Sequence, residues 1–253
     1  MDRLNILNEV FNCDCLDFMK IQPDKTFDLA IADPPYGINA PNMRMGEKAG
    51  YISTATRSKK SRLNTGEGKL KNRTLNTMSC DWDLMPPTQE FFDELFRVSK
   101  NQIIWGGNYF QLPPTRCIVC WDKMQPWDNF SQIELAWTSF DIPAKIFRKS
   151  TTGGSVPNMR LFPKIHPTQK PVELYAYLLQ TFAKKGNVIF DPMMGSQSSR
   201  VAAFKLGFDY MGCEIDNEYY VEGCRYFDRE CHGVSTMSDG RAIQQLSIFE
   251  TIE

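Results

Sequence analysis

The chain has 253 residues, of which 42% are hydrophobic and 23% are charged, and its formal net charge is −1. This composition is typical of a folded globular protein and excludes a disordered chain, and no apolar run approaches the roughly 18 residues that a membrane span requires. Because the first residues show neither the basic region nor the apolar core of a secretion signal, we expect a cytoplasmic protein that does not bind membranes.

The eight cysteines and two histidines do not favour a disulfide framework or a zinc site. In a chain of this length without a secretion signal, free thiols are expected. Cys117 and Cys120 form a CxxC pair, but it lies within "RCIVCWD", which is predicted to be a strand. Residues three apart on a strand point to opposite faces, so this pair is poorly placed to share a metal ion. We therefore expect no metal site.

The first part of the chain predicts two strands followed by a basic insertion. The stretch "VFNCDC" forms the first strand, and an apolar run that ends at Asp33 forms the second. Residues 41–79 are rich in Gly, Ser, Thr and Asn, and nine basic but only two acidic residues lie between Met43 and Arg73. This insertion is either a solvated, mobile loop or a segment that becomes ordered when its cations meet phosphates, and both interpretations can hold.

The central part of the chain predicts one helix and three strands. The helix covers residues 86–100 with Thr88 as its N-cap, because apolar residues recur on one side of it. The strands are predicted from the stretches "NQIIWGG", "RCIVCWDK" and "SQIELAWTSF". Residues 141–164 show no clear period and are expected to be irregular.

The last third predicts alternating helices and strands. The helices are "KPVELYAYLLQTFAKKG", "SQSSRVAAFKLG" and "NEYYVEGCRYFDRECHG", the last with Asp216 as its N-cap, and the strands are "NVIFDP" and "FDYMGCEID". This alternation predicts an α/β fold with parallel strands and right-handed crossovers. We expect residues 1–253 to form a single domain that ends in a C-terminal tail, residues 235–253.

Two predicted strand ends contain acidic residues suited to ligand binding or catalysis, and ligands of open α/β sheets bind at the carboxyl ends of strands. One strand ends at Asp191, turns through Gly195 and enters a helix, and the next strand ends at Glu214. This is the layout of a nucleoside-binding unit, in which the later acid holds the ribose hydroxyls. The missing GxGxxG disfavours a nicotinamide cofactor and favours a nucleoside without phosphate, such as S-adenosylmethionine. A plain strand–turn–helix with surface acids is the alternative.

The second of these strand ends is the tetrapeptide Asp33-Pro34-Pro35-Tyr36. A carboxylate at the end of a buried strand costs free energy unless it is paired or used. By average residue usage, this tetrapeptide occurs by chance in well under about one in a hundred chains of this length. A rigid turn capped by a surface tyrosine would leave the carboxylate unexplained, so we expect Asp33 to be functional.

Together these motifs resemble the amino-DNA methyltransferases that use S-adenosylmethionine, in the permuted (β) class where the catalytic tetrapeptide precedes the cofactor motif. The resemblance rests on "DPPY" at 33–36, "HPTQKP" at 166–171, "DPMMGS" at 191–196 and "GCEID" at 212–216. It implies a Rossmann-like three-layer sandwich with a mainly parallel seven-stranded sheet. It also implies direct methyl transfer to the exocyclic amino group of a base rotated out of the duplex.

The resemblance assigns roles to individual residues. Asp33 and the main-chain carbonyl of Pro34 would accept the two amino hydrogens of the target base, and Tyr36 would stack on it. Glu214 would hold the ribose, and Lys170 with its neighbour Thr168 would approach the methionine carboxylate. The full set of cofactor contacts that it implies is Asp14, Asp33, Thr168, Lys170, Asp191, Gly195, Ser196 and Glu214. His166 is more simply explained as a capping or packing residue.

One position departs from the family pattern, which has glycine where this chain has Gln197. If that position requires a positive φ, glutamine would be strained there, so we assign Gln197 no role. The stretch "WGGNYF" at 105–110 is predicted to end a strand beside the active site. There Gly106 and Gly107 would permit close approach, and Asn108 or Tyr109 would line the base pocket.

The partner that the resemblance implies is double-stranded DNA, contacted by the basic insertion and also by residues 141–164. The candidate phosphate contacts are Arg57, Lys59, Lys60 and Arg62. An Asp at the first tetrapeptide position favours adenine N6 as the target over cytosine N4, which uses the same geometry. A catalytically silent DNA-binding regulator with this fold is the alternative from another class, and RNA or protein substrates are less favoured. The sequence leaves open the recognition sequence, a homodimer and a cognate restriction enzyme.

Overall fold

The computed structural model describes residues 7–38, 83, 85–124, 131–150, 165–166, 168–236 and 241–244. The chain divides into two compact units. Unit 1 consists of residues 1–32, 89–102 and 169–253, and unit 2 consists of residues 33–88 and 103–168. The basic insertion, with its four candidate phosphate contacts, lies outside the described residues, as do residues 151–164.

The described residues contain five α-helices, ten strands and a short 3-10 helix (Gly107–Tyr109). In chain order they are β1 (Asn8–Asn12), α1 (Cys15–Lys20), β2 (Phe27–Ala32), α2 (Gln89–Val98), β3 (Ser99–Trp105), β4 (Ile118–Asp122), β5 (Ile133–Thr138), β6 (Lys145–Arg148), α3 (Val172–Phe182), β7 (Val188–Asp191), α4 (Ser198–Leu206), β8 (Asp209–Glu214), α5 (Asn217–His232), β9 (Val234–Thr236) and β10 (Ala242–Gln244).

Each unit contains one part of a mainly parallel sheet. In unit 1 the strand order is β1-β8-β7-β2-β3, and the pairs β1/β8, β8/β7 and β7/β2 are parallel. In unit 2, which takes up the end of β3, the order is β3-β5-β4-β6. There β5 is antiparallel to both of its neighbours, and β6 is parallel to β4. The predicted α/β class with a mainly parallel sheet is therefore confirmed.

The sheet has eight strands rather than the predicted seven, counting β3 once. The additional strand is β6, which lies in the stretch that the sequence predicts to be irregular. It has only four residues and lies at the edge of the order in unit 2, so it carries little apolar signal of its own. The predicted tail also contains more structure than expected, because β9 and β10 pair antiparallel.

The core of unit 1 follows from the apolar runs of its sequence. In β2 every residue except Asp28 is buried, as is typical of a parallel strand covered on both faces. Helix α3 buries Leu174, Leu178 and Phe182 at the predicted i, i+4, i+8 spacing. This buried strand delivers the chain directly to Asp33, the first residue of unit 2.

Element boundaries differ from the prediction where caps and prolines compete with periodicity. The first strand ends at Asn12 rather than at Cys15, because the carboxylate of Asp14 caps α1 by accepting the backbone N–H groups of the next turn. Helix α2 begins three residues later than predicted, after a proline pair that lacks N–H donors. The predicted N-cap of α5, Asp216, is confirmed, since its side chain accepts the N–H groups of Glu218 and Tyr219. No described helix is long and apolar enough to cross a membrane.

Candidate active site

In unit 1, the end of β7 and the turn that follows are braced by the Asp191 carboxylate. Asp191 is buried, and its Oδ1 accepts the backbone N–H of Met193 at 3.1 Å. Its Oδ2 accepts the hydroxyl of Ser199, in the first turn of α4, at 2.5 Å. The Ser199 hydroxyl also lies 2.9 Å from the buried hydroxyl of Tyr210 on β8. Asp191 therefore ties strand, turn and helix together, and Ser199 is a supporting residue that the sequence analysis did not identify.

The acid at the end of β8 is joined directly to this turn. Glu214 is 8% exposed, and its Oε2 accepts the backbone N–H of Gly195 at 2.8 Å. Its Oε1 accepts the backbone N–H of Asp216 at 2.9 Å. Burial raises the pKa of Glu214 above that of an ordinary glutamate, although the N–H groups of Asp216 and Gly195 oppose the increase. Of the predicted cofactor residues, Gly195 and Glu214 are thus in direct contact.

Close packing of the turn depends on the glycine of the "GCEID" stretch. The backbone N–H of Met194 donates to the carbonyl of Cys213 at 2.9 Å. A Cβ atom on Gly212 would lie only 2.4 Å from the Sδ atom of Met194. The glycine therefore provides the space in which the Met194 side chain packs, and this contact sets the distance between the turn and β8.

The remaining cofactor candidates of unit 1 occupy two kinds of position. Ser196 is buried in the same turn, with its hydroxyl 3.0 Å from that of Ser198. Lys170 is 4% exposed and lies two residues before α3. Asp14 is exposed, and its Oδ1 accepts the N–H of Leu16 at 2.7 Å. In unit 2, the hydroxyl of Thr168 lies 3.1 Å from Nδ1 of His166, which fits a packing role for that histidine.

Gln197, which stands where the family pattern has glycine, has a positive φ of 59°. Its side chain is fully buried and points into the packing between α4 and α5. Its Oε1 accepts a hydrogen bond from Arg200 at 2.8 Å, and its Nε2 donates to the carbonyl of Tyr220 at 3.2 Å. A Cβ on Gly223 would lie 2.6 Å from that Nε2. The Gln197 side chain therefore packs against Gly223. A glycine in the middle of α5 is the feature of the sequence from which this contact could have been predicted.

In unit 2, the tetrapeptide Asp33-Pro34-Pro35-Tyr36 contains an internal hydrogen bond. The hydroxyl of Tyr36 donates to Oδ1 of Asp33 at 2.7 Å. Asp33 is partly exposed, while Pro34 is buried. The two prolines hold φ near −65°, so the carboxylate and the ring that follows it are joined by a stiff backbone. Asp33 and Tyr36, predicted to act on the same base, are therefore brought into contact.

The stretch "WGGNYF" lies against the tyrosine ring. The Tyr109 ring stacks on Tyr36 with centroids 5.1 Å apart and planes inclined by 12°. Gly106 has φ +69°, and a Cβ on it would lie 2.3 Å from Cε1 of Tyr36. A Cβ on Gly107 would lie 2.5 Å from the Cβ of Trp137. Both glycines thus permit close approach, as the sequence predicted, whereas a role for Tyr109 in the base pocket stays a prediction.

A carboxylate that the sequence analysis did not single out holds the other side of the tetrapeptide. Asp83 is 1% exposed, and its Oδ1 accepts the backbone N–H groups of Tyr36 at 2.6 Å and Gly37 at 3.0 Å. The bond to Tyr36 joins residues 47 positions apart. No periodic pattern predicts such a contact, and the only signal in the sequence was a second acid in "CDWDL", just after the insertion.

Comparisons with known proteins agree with these motifs. Residues 122–223 match the N6/N4 methyltransferase family model, described as DNA methylase. The type II methyltransferase M2.MboI of Moraxella bovis is 22% identical over 250 residues, which cover 83% of this chain and 84% of that protein. The DNA adenine methyltransferase YhdJ of Escherichia coli K12 is 34% identical over 67 residues, 26% of this chain and 23% of its own length.

Solved structures share the fold. The Thermus thermophilus protein TTHA0409, in complex with S-adenosyl-L-methionine, aligns with a TM-score of 0.52 at 17% identity over 90% of this chain and 96% of that one. The cytosine-N4-specific PvuII DNA methyltransferase aligns with a TM-score of 0.52 at 13% identity, covering 85% and 84% of the two chains. The family match over residues 122–223 and these relatives thus show that the chain is similar to the N6/N4 amino-DNA methyltransferases, and the solved structures show the same fold.

Proposed function

We propose that this protein is an S-adenosylmethionine-dependent DNA methyltransferase that transfers a methyl group to the exocyclic N6 of adenine. The observation that carries the proposal is the intact tetrapeptide, in which the Tyr36 hydroxyl donates to the Asp33 carboxylate at 2.7 Å. A regulator that had lost catalysis would not need to keep both the carboxylate and the aromatic ring in this arrangement.

The residues of unit 1 fit the proposed cofactor. Each oxygen of Glu214 accepts one backbone N–H, and a carboxylate oxygen has a second lone pair with which to accept a ribose hydroxyl. The turn at Gly195 exposes backbone rather than side chain to a ligand, because glycine has no Cβ. The complex of TTHA0409 with S-adenosyl-L-methionine supports this assignment. When bound, the cofactor supplies an electrophilic methyl group attached to a positively charged sulfur.

In unit 2, Asp33 would raise the reactivity of the target nitrogen. The lone pair of an exocyclic amino group is delocalised into the base, so the nitrogen is a poor nucleophile. Asp33 and the carbonyl of Pro34 would each accept one amino hydrogen, and these bonds strengthen as positive charge develops on nitrogen. The nitrogen would attack the methyl carbon directly: a C–N bond forms, the C–S bond breaks, and the surplus proton leaves the nitrogen toward Asp33.

Tyr36 would hold the extruded base in place. Stacking of a base on an aromatic ring contributes roughly 1–3 kcal/mol, which is comparable to the few kcal/mol that extrusion of the base costs. Since its hydroxyl also donates to Asp33, Tyr36 would orient the carboxylate at the same time. Both functions require the ring to stay where Gly106 and Tyr109 hold it.

Adenine is favoured over cytosine as the target base. Asp33 occupies the tetrapeptide position that is more often Asp in adenine enzymes and Ser in cytosine-N4 enzymes. A relative named as a DNA adenine methyltransferase, YhdJ, matches part of the chain. Cytosine N4 is the second candidate, because the PvuII enzyme named as cytosine-N4-specific shares the fold.

The proposal is tested by identifying the methylated nucleoside. Purified protein is incubated with unmethylated double-stranded DNA and methyl-labelled S-adenosylmethionine, beside an Asp33→Ala variant, and the digested DNA is analysed by mass spectrometry. We expect N6-methyladenine that disappears with the variant. N4-methylcytosine would keep the mechanism but overturn the base. No labelled DNA from a protein that binds both ligands would overturn the enzymatic proposal.

DNA contact by residues 41–79 has a separate test. If these cations pair with phosphates, the binding constant should fall steeply with salt concentration. Replacing Lys59, Lys60 and Arg62 with Ala should weaken DNA binding. It should also reduce the slope of the logarithm of the binding constant against the logarithm of the salt concentration by the amount expected for roughly three phosphate contacts. An unchanged slope would rule out the insertion as the phosphate-binding segment.

A further inference from the structure

Asp83 binds the catalytic tetrapeptide at the point where its backbone first offers hydrogen-bond donors. Pro34 and Pro35 have no N–H group, so the first two donors after Asp33 belong to Tyr36 and Gly37. Both point at one atom, Oδ1 of Asp83, at 2.6 and 3.0 Å. Consecutive backbone N–H groups that converge on one anionic oxygen form a strong and directional contact.

The backbone of the tetrapeptide is shaped for this contact. Gly37 has φ +74°, a backbone conformation that residues other than glycine rarely adopt. A Cβ on Gly37 would also lie 2.8 Å from Cδ of Pro86, so the segments around Gly37 and Asp83 approach each other closely at a second point. Since Asp83 is 1% exposed, its charge is removed from solvent, and these N–H groups contribute to its compensation.

We propose that Asp83 is a positioning residue for methyl transfer, which acts on Asp33 through Tyr36. Its carboxylate holds the N–H of Tyr36, the backbone fixes the ring, and the ring's hydroxyl donates to Oδ1 of Asp33. The Tyr36 ring also lies against Gly106 and stacks on the Tyr109 ring, and these contacts hold it in place. This inference rests on the proposed function, because methyl transfer is the reaction whose rate Asp83 would support.

A purely structural role for the buried carboxylate makes a different prediction. In that case, removal of the Asp83 carboxylate would lower the folded fraction of the protein but leave the rate constant of the folded molecules unchanged. A positioning role requires that the rate constant itself falls, since misplacement of a reacting group by about 1 Å can cost about 100-fold. Cofactor binding should be spared, because the predicted cofactor residues other than Asp33 and Thr168 belong to unit 1.

The first experiment measures single-turnover methyl transfer at saturating DNA and cofactor for Asp83→Ala and Asp83→Asn. We expect Asp83→Ala to lower the rate constant about 100-fold and Asp83→Asn less than about 5-fold, because the amide oxygen still accepts both N–H groups. The cofactor Kd should stay within about 2-fold of wild type in both variants. Asp209→Ala is the control for the loss of a carboxylate that accepts a backbone N–H. Asp209 accepts the N–H of Leu7 and lies on β8 in unit 1, whereas Asp83 belongs to unit 2.

A double-mutant cycle then tests whether Asp83 acts through Tyr36. If it does, Tyr36→Phe should lower the rate constant of the wild type about 10-fold but change that of Asp83→Ala less than about 2-fold, because coupled residues are not additive. Losses that multiply in the double variant would overturn the inference. So would an Asp83→Ala rate constant within about 2-fold of wild type once the folded fraction is taken into account.

A measurement without catalysis separates this inference from the proposed function. Amide hydrogen exchange, followed by NMR on the full chain, should be at least about 10-fold faster at Tyr36 and Gly37 in Asp83→Ala than in wild type. Unchanged exchange at both amides would overturn the hydrogen-bonded contact itself. If the wild-type protein transferred no methyl group, the proposed function would fail, whereas the exchange result would still decide whether Asp83 holds the tetrapeptide backbone.

Discussion

The turn between β7 and α4 and the tetrapeptide at residues 33–36 are stabilised in different ways. In the turn, Asp191 contacts residues two and eight positions away, and Gly195 contacts Glu214 nineteen positions away. In the tetrapeptide, Tyr36 is held by a carboxylate 47 positions away and by the glycine-rich stretch after β3. The first region is a local strand–turn–helix unit, whereas the second is assembled from distant pieces. Short motifs can thus indicate candidate site residues even where they do not indicate the residues that hold them.

The largest effect outside the reacting groups is expected at Gly106, where the tetrapeptide depends on a missing side chain. In Gly106→Ala the new Cβ would lie 2.3 Å from Tyr36, so the ring must move and the rate constant of methyl transfer should fall about 100-fold. Gly186→Ala is the matched control: its φ is +84°, but a Cβ there would meet nothing within 4 Å. Both variants place an alanine at a positive φ, which costs roughly 1–2 kcal/mol. Equal losses of rate in the two variants would show that strain rather than the Tyr36 contact is responsible.

The turn region should respond in cofactor affinity and in its pH dependence. In the proposed function the Glu214 carboxylate accepts ribose hydroxyls, which the ionised form does best, and burial raises the pKa of this acid. Acidification should therefore weaken cofactor binding at a higher pH than for an ordinary glutamate. Glu214→Gln should raise the cofactor Kd about 10-fold or more near pH 7 and remove this pH dependence. Calorimetric titrations across pH provide the measurement, and a variant that keeps the wild-type pH profile would contradict the assignment.

The same pKa has the opposite consequence for folding. Because the folded state holds the proton of Glu214 more tightly than the unfolded chain, this group stabilises the folded protein fully at low pH. That contribution is lost as the pH rises through the raised pKa. Without cofactor, the free energy of unfolding of the wild type should therefore fall more steeply as the pH rises than that of Glu214→Gln, whose amide does not titrate, and thermal unfolding of the two proteins across pH checks this.

A smaller effect is expected where Gln197 packs against α5. Gly223→Ala would place a Cβ 2.6 Å from Nε2 of Gln197 and should lower the free energy of unfolding by about 1–3 kcal/mol. In a Gln197→Gly background the same change should cost less than about 1 kcal/mol, since the opposing side chain is gone. Denaturant unfolding of the four proteins measures this coupling. Additive losses would contradict the proposed pairing of Gln197 with Gly223.

The smallest effect concerns Tyr109. Its ring stacks on Tyr36 but remains 47% exposed, so Tyr109→Ala should lower the rate constant about 5-fold and Tyr109→Phe less than about 2-fold. Single-turnover kinetics compare the two variants. A loss in Tyr109→Phe as large as in Tyr109→Ala would show that the hydroxyl, and not the stacked ring, is what matters.

Periodicity and short motifs predicted most of the sheet and both strand ends that contain candidate site residues. They missed β6 because its four residues lie at an edge and alternate between half-buried and exposed. They missed α1 because six residues are too few for a helical period, and Asp14 was assigned to the preceding strand rather than to the cap. Asp83 was missed for a different reason: a contact between residues 47 positions apart leaves no pattern in one sequence. At Gln197 the glycine of the family pattern raised the question of a positive φ, which the residue has, but its contacts with α5 left no pattern in the sequence.

The most direct test of the account compares Asp33→Ala with Glu214→Gln in two measurements, the single-turnover rate constant at saturating cofactor and the cofactor Kd. We predict that Asp33→Ala lowers the rate constant about 1000-fold while its Kd stays within about 10-fold of wild type. Glu214→Gln should show the reverse, with a raised cofactor Kd and a rate constant within about 10-fold of wild type. An Asp33→Ala rate constant close to that of wild type would contradict the central claim that this carboxylate acts on the target amino group.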